Sequence, residues 1–508
     1  MGGTLVGVAY VWLAQLAAFL LMPRGIAFGV RARALAFWAI SAPVVLLFQP
    51  PIFLLLSVAA LMLVLSPMRS LDRAAFFFVA VPAVPVFIST PLPFPGINYL
   101  TDLSHFKLAA LVVLMPVLMS RRESGGSGVV TGPAILLLVY VVYATILITA
   151  SNGITGGMRY ALDQVLVVVL PYFAVMLTLR KPEDADKFYQ AFLIASLILA
   201  TVALLSSFKR WDIYAASASL ITEIRDGAMR INATAGTHSL AFHLAAAVIV
   251  LEFLRHRISI GWVHINIMRL VLLAGMLTTG SRGALGGLVV AGCVYALFVI
   301  RSAPLRTLLL LTLVVGSVVW TVWLVEGNVN AYDEHGTFIY RQELFWTSAN
   351  YILQYPFFGD RNFLQSGMFD HLLQGQGIID VTNLYLQVAL TFGLVGLALF
   401  ACVFVLPALS TGLMLFRLRR THLSATSARN SSSISEQETW FRAAAVAVAC
   451  SAGWLFLVAT TSDVGLTVHL GIFFAAACHA LKRTCPVEVT SATAVPNAQG
   501  VKNPYASA

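Results

Sequence analysis

The chain has 508 residues, 59% of them hydrophobic and 11% charged. A soluble domain is about a quarter charged and less than half apolar, and a soluble chain this apolar would expose patches that aggregate; a soluble enzyme, a disordered scaffold and a secreted disulfide-stapled protein are excluded. The balance of 32 basic to 22 acidic residues, a net +10, fits the Lys and Arg bias of cytoplasmic loops better than a nucleic-acid partner.

In chain order, apolar runs predict spans near 4–22, 34–48, 52–66, 74–90, 106–120, 133–150, 162–179, 188–207, 238–254, 264–279, 284–300, 307–325, 383–415, 441–459 and 464–481. The second and third are short, so the expected fold is an all-α polytopic membrane protein of about 12–15 transmembrane helices, at about 20 residues per span. The first Arg is Arg24, after the first run, which predicts an uncleaved span with its N-terminus outside. The expected organisation is N-terminal spans over 1–207, a central region over 208–416, a flexible cytoplasmic loop over 417–440, C-terminal spans over 441–483 and a disordered tail over 484–508. Cys293, Cys402, Cys450 and Cys478 fall in apolar runs and Cys485 in the tail, a pattern with neither a disulfide framework nor metal-ligand spacing.

Alternating the spans from an outside N-terminus leaves nine basic residues outside, and so 23 of the 32 inside. Such an asymmetry sets orientation. The nine are Lys107, Arg159, Lys209, Arg210, Arg225, Arg230, Arg282, Arg341 and Arg361. Most lie in the loop 208–237, the turn 280–283 and one large loop, 326–382. Within the large loop, Phe338–Gln354 has apolar blocks at helical spacing and is followed by Pro356; it reads as an amphipathic helix at the membrane surface.

Three outside segments each lead into an inward-running span: Arg230–His238, Thr278–Gly283 and Asp380–Tyr385. A helix N-terminus presents unpaired N–H groups and partial positive charge, which favour anions. Thr237, Ser281 and Thr382 are the expected caps. Arg282 is the most informative position. A cation at a helix N-terminus costs about 0.3–1 kcal/mol, and a bound anion reverses that penalty; an interfacial Arg snorkelling to headgroups is the alternative. Arg230, in the same kind of setting, adds to the anion reading.

His238 and His243 open one span, and His titrates near neutral pH, so either is a candidate for activating an acceptor hydroxyl; packed histidines are the alternative. Asp380, beside Thr382 and Asn383, is a second candidate base if desolvation raises its carboxyl. Arg341 and Glu343 read as a solvated helix face unless tied to a site. Asp463 reads as a cap, and Gly393 and Gly396 as close-packing positions.

Thr279-Gly-Ser-Arg282-Gly-Ala resembles the SRG signature of the O-antigen ligase and polymerase superfamily. Arg341, Trp346 and Tyr355-Pro356-Phe-Phe-Gly359 resemble its R…W…P-x-x-G run. Asn383-Leu-Tyr-Leu with Gly393-Leu-Val-Gly396 resembles the segment that closes its large periplasmic loop, and Arg230 with Gly236 and His238 resembles its Arg-containing loop. The likeness covers roughly 225–400.

The resemblance implies a GT-C-like fold with one large periplasmic loop, in the bacterial inner membrane. It implies a glycosyltransferase needing no metal or cofactor, acting on the periplasmic face on an undecaprenyl-pyrophosphate-linked oligosaccharide. Among membrane lipids, it would work beside chain-length regulator and export proteins. Arg230, Arg282 and Arg341 would hold the pyrophosphate, supported by Arg225, Ser281, Thr382 and Asn383; His238 and Asp380 would be catalytic. The ligase branch places its base at position 382, which is Thr here, so polymerisation of exopolysaccharide, capsule or O-antigen units is the expected activity and transfer to lipid A-core the alternative. A lipid-linked glycan transporter and a non-catalytic export partner are the competing classes. The chain shows no internal repeat of the kind common in transporters.

Overall fold

The computed structural model describes residues 2–26, 28–48, 51–96, 98–122, 132–215, 224–225, 227–258, 260–300, 302, 304–309, 311–312, 337–374, 377–424, 431–461 and 466–485. The protein is an all-α polytopic membrane protein. Among the described residues, eight helices are long and apolar enough to cross a membrane, and three shorter apolar ones accompany them. Most of the expected span 307–325 lies outside the described residues, as do 326–336, Asp463 and the tail after Cys485.

Helices α1 (Gly2–Leu21), α2 (Phe28–Leu47) and α3 (Pro51–Leu65) precede α4 (Ser70–Ala80). The span expected over 74–90 stops at Ala80, because Pro82 and Pro85 lack the N–H a continuing helix needs. Strands β1 (Ser89–Pro91) and β2 (Asp102–Ser104) then pair antiparallel. Helix α5 (His105–Ala109) runs through a π-turn into α6 (Met115–Arg122). Helix α7 (Gly132–Gln164) breaks at Gly153, with φ of 73°. A Cβ at Gly157 would collide with Thr149, eight positions back, a separation of about 12 Å in a straight helix; the chain folds back there, as the two spans expected over 133–179 require. The return leg ends as α8 (Leu170–Thr178). The central helices are α9 (Asp184–Lys209) and α10 (Thr237–Leu254), both largely buried. Between them lies the short antiparallel hairpin β3 (Ile224–Arg225) and β4 (Ala228–Met229).

Helices α11 (Trp262–Leu277) and α12 (Arg282–Val299) form the next pair, and α13 (Thr337–Gln354) is the helix expected in the large loop. Helix α14 (Leu384–Ser424) is not one straight span. Gly393 has φ of 68°, and the rings of Tyr385 and Phe400 lie 6.3 Å apart, where fifteen residues of straight helix would separate them by about 22 Å. Helices α15 (Ser431–Val458) and α16 (Leu466–Arg483) are the last two among the described residues. The stretch 417–440, expected as a flexible loop, is helical over 417–424 and 431–440, and 425–430 lie outside the described residues.

The bundle has two chemically distinct ends. At the lower end, Lys187 pairs with Asp72 at 2.5 Å, Arg257 with Asp186 at 2.9 Å and Arg442 with Glu438 at 2.7 Å, while Glu252 holds both Arg255 and Arg269. All five arginine and lysine positions belong to the set expected inside. The upper end carries the starts of α10 and α12. Two of the basic residues expected outside are structural there. Lys107 pairs with Asp163 at 2.6 Å, and the Arg159 guanidinium covers the Tyr99 ring at 3.7 Å; together they clamp the β1–β2 hairpin.

Small residues set the central crossing. A Cβ at Gly287 of α12 would lie 2.9 Å from the Gly453 carbonyl of α15, and one at Gly453 would lie 2.6 Å from the Gly287 carbonyl. Backbone-to-backbone contact of this kind replaces side-chain interdigitation in apolar bundles. It brings the N-terminus of α12 beside the C-terminus of α15.

Candidate functional site

The N-terminus of α12 is the hub. Ser281 is its cap: the Ser281 hydroxyl accepts from the Ala284 N–H at 3.4 Å, as the sequence predicts. The same hydroxyl lies 2.9 Å from His238 Nδ1 on the first turn of α10. Arg230 is buried, and its Nε donates to the Thr279 carbonyl at 3.0 Å. Gly280 turns the chain here with φ of 63°, a conformation that favours glycine, and packs beside the Arg230 stem. On the far side, a Cβ at Gly283 would collide with the Thr460 side chain, and the Thr460 carbonyl accepts from Arg341 at 3.3 Å. The Thr461 carbonyl accepts from the Leu384 N–H at 3.2 Å. Arg230, His238, Ser281 and Arg282 therefore gather at one helix end, and Arg341 and the start of α14 at Asn383 are joined to it through Thr460 and Thr461, though up to 153 positions separate them in the chain.

Two expected caps are corrected. Gly236, with φ of 84°, caps α10 and Thr237 is the first helical residue. Asn383 caps α14, its Oδ1 accepting from the Tyr385 and Leu386 N–H groups at 2.9 and 3.2 Å; Thr382 precedes the cap. The amide oxygen of Asn reaches both N–H groups, which is why Asn ranks high at this position. Asp380 is fixed through its backbone: its N–H donates to the Tyr340 hydroxyl at 3.0 Å, and that hydroxyl donates to its carbonyl at 2.8 Å. Tyr340 precedes Arg341 on α13, so one helix carries both the arginine and the tether of the acid. Burial pushes the Tyr340 hydroxyl up from its ordinary value.

His243 stays apart. It is buried against Phe192, the rings stacked at 4.3 Å. Glu343 is exposed on α13. The backbone of Arg225 lies in β3, and its side chain is outside the described residues.

The loop that delivers Arg230 rests on residues the sequence reading missed. Asp212 is buried and accepts from the Asn232 N–H at 2.8 Å. Burial raises its carboxyl, against the lowering pull of that N–H. The Thr234 hydroxyl donates to the Pro82 carbonyl, and the Thr234 carbonyl accepts from the Val86 N–H at 3.0 Å. Thr460 was equally hidden. A lone Asp after Trp211, or a Thr pair before Asp463, carries no spacing signal; each matters only through a contact made across the fold.

Among the described residues no group of three or more His, Cys, Asp or Glu side chains is placed to hold a metal ion. The hub instead joins a helix N-terminus to three guanidinium-bearing side chains. Such a set suits a phosphate-type anion, since helix N–H groups point outward and Arg presents a planar fork.

No curated protein matches the chain. Residues 267–401 match the family model described as O-antigen ligase. That segment runs from within α11 to within α14 and holds Arg282, Arg341, Asp380 and Asn383. Arg230 and His238 lie outside it and meet it at Thr279 and Ser281. Over this segment the chain is similar to the O-antigen ligase family, which supports the likeness to the O-antigen ligase and polymerase superfamily.

Proposed function

We propose that the protein transfers a glycan from undecaprenyl pyrophosphate to a sugar hydroxyl, on the periplasmic face of the bacterial inner membrane, and that it polymerises exopolysaccharide, capsule or O-antigen units. The convergence of Arg230, Arg282 and Arg341 on the N-terminus of α12 carries this reading. In the transfer, the bond from the anomeric carbon to the pyrophosphate oxygen breaks and its electron pair stays with the pyrophosphate. The acceptor oxygen forms the new glycosidic bond and gives up its proton. Charge grows on the leaving group, and pre-placed donors stabilise it without reorganising. At an effective dielectric near 20, one close charge pair contributes about 4 kcal/mol before solvation losses.

His238 is the favoured base. In the tautomer whose Nδ1 donates to Ser281, 2.9 Å away, Nε2 is the nitrogen that takes a proton. Asp380 is the second candidate, its backbone tethered to the Tyr340 hydroxyl. Position 382 carries Thr, where the ligase branch carries its His, and this favours the polymerase over the ligase. Incubation of the purified protein with a synthetic undecaprenyl-pyrophosphate oligosaccharide tests the reading. A ladder of lengthened glycans is expected. Transfer to lipid A-core alone would make the protein a ligase, and no transfer to either acceptor would remove the assignment.

A further inference from the structure

The turn Tyr355–Asp360 is spliced into the hydrogen-bond ladder of α14. In an unbroken helix the Leu394 N–H would donate to the Leu390 carbonyl four residues back. The break at Gly393 separates that pair, and both halves are taken up by the turn. Leu394 donates to the Pro356 carbonyl at 2.7 Å, and the Leu390 carbonyl accepts from the Asp360 N–H at 2.7 Å. Contact is backbone on backbone: a Cβ at Gly393 would strike the Phe357 carbonyl, and one at Gly359 would lie 2.5 Å from the Leu390 carbonyl. The Tyr143 hydroxyl on α7 closes the arrangement, 3.0 Å from the Phe357 carbonyl and 2.9 Å from that of Phe392.

Every one of these bonds satisfies a backbone group without water. The two side chains at the tip are treated in the opposite way: Phe357 and Phe358 are 66% and 62% exposed. They stand beside the outward apolar faces of two spanning helices, with Val139 and Val142 flanking Tyr143 on α7, and Leu394 and Val395 on α14. Irregular backbone at membrane level is tolerated only where its polar groups are paired internally, and aromatic residues gather where a membrane protein meets the bilayer boundary.

We propose that the Phe357-Phe358 tip is a wedge seated in the acyl chains of the bilayer. It extends the lipid-facing surface of α7 and α14 and pins the α13 loop to the membrane. The occupant is bilayer hydrocarbon, because the patch is continuous with a surface that hydrocarbon already covers. This inference stands apart from the reaction: it needs neither Arg282 nor a glycan donor.

Photo-crosslinking tests it in the full chain reconstituted into phosphatidylcholine vesicles. A benzophenone amino acid replaces Phe357 or Phe358 one at a time; both side chains are exposed aromatics, so the change leaves the backbone bonds in place. Leu394 serves as the lipid-facing reference and Glu343, an exposed charge on α13, as the aqueous one. Phospholipid adducts at 357 and 358 should match those at 394 and exceed those at 343 severalfold. Adduct levels no higher than at 343, or crosslinks to a second copy of the chain in place of lipid, would overturn the proposal. Elution of each variant as a single species on size exclusion shows that it is folded. Because no donor is present, the result is independent of whether the protein transfers a glycan.

Discussion

In the proposed site Arg230 and Arg282 act through a planar fork, so charge alone should not replace them. Arg230→Lys and Arg282→Lys are each expected to cut polymer output by at least about tenfold, the loss of one charge-assisted contact worth roughly 1.4 kcal/mol; the thermal midpoint should hold in Arg282→Lys and fall in Arg230→Lys, which also loses the bond to the Thr279 carbonyl. Near-normal ladders from both variants would count against the pyrophosphate role. Ser281 has two duties, capping α12 and bonding His238. Ser281→Ala should cost about 1 kcal/mol of stability, read as a lower midpoint, and should also shift the pH profile of transfer. Asp212 gives a pH test with a defined sign. Burial raises its carboxyl in the folded chain, so the folded state holds that proton more tightly than the unfolded state does. Its contribution is therefore fully present below the ordinary carboxylate range, about pH 4, and is lost as pH rises through the raised folded value. Asp212→Asn keeps an oxygen for the Asn232 N–H and cannot ionise. It should raise the thermal midpoint near pH 7.5 and leave it almost unchanged near pH 4. A larger gain at the acid end would contradict the assigned cause.

The clamp between α14 and the turn depends on two glycines and one tyrosine. Gly393→Ala combines a positive φ with a Cβ aimed at the Phe357 carbonyl; overpacking and strain together predict a loss of about 2–5 kcal/mol, seen as a large drop in midpoint or failure to purify. Tyr143→Phe removes only a hydroxyl. Leaving its carbonyl partners short of a donor should cost about 1–3 kcal/mol, and the protein should still be recovered folded. A midpoint equal to the parent's would show that the tyrosine bond is dispensable. Apolar periodicity carried most of the helices, because length and hydropathy decide what can cross a bilayer. It missed the break at Gly393 and the stop at Ala80. Both are local backbone events, one set by a turn 34 residues upstream that packs on the helix and the other by prolines inside an apolar run. Gly393 and Gly396 were read as positions of close packing between helices; Gly393 instead admits a loop.

The charge count gave a sidedness that the ion pairs at the lower end share, residue by residue. Labelling of single cysteines on intact cells tests it. A membrane-impermeant maleimide should modify Ala228→Cys, in the exposed β3–β4 turn, and spare His256→Cys beside Arg257 until the membrane is opened. The reverse pattern would invert the bundle. The motif residues of the hub were visible in the sequence because their spacing follows local turns and helix starts. Thr460, Tyr340 and Asp212 were not, because each joins the hub by a contact between distant parts of the chain. Since Pro356 and Asp360 complete the ladder of α14, swinging the loop aside would orphan four polar groups at about 1–3 kcal/mol apiece. The segment is thus a fixed lintel and not a flap, and in the proposed reaction a lipid-anchored donor would have to reach the hub without this loop swinging aside.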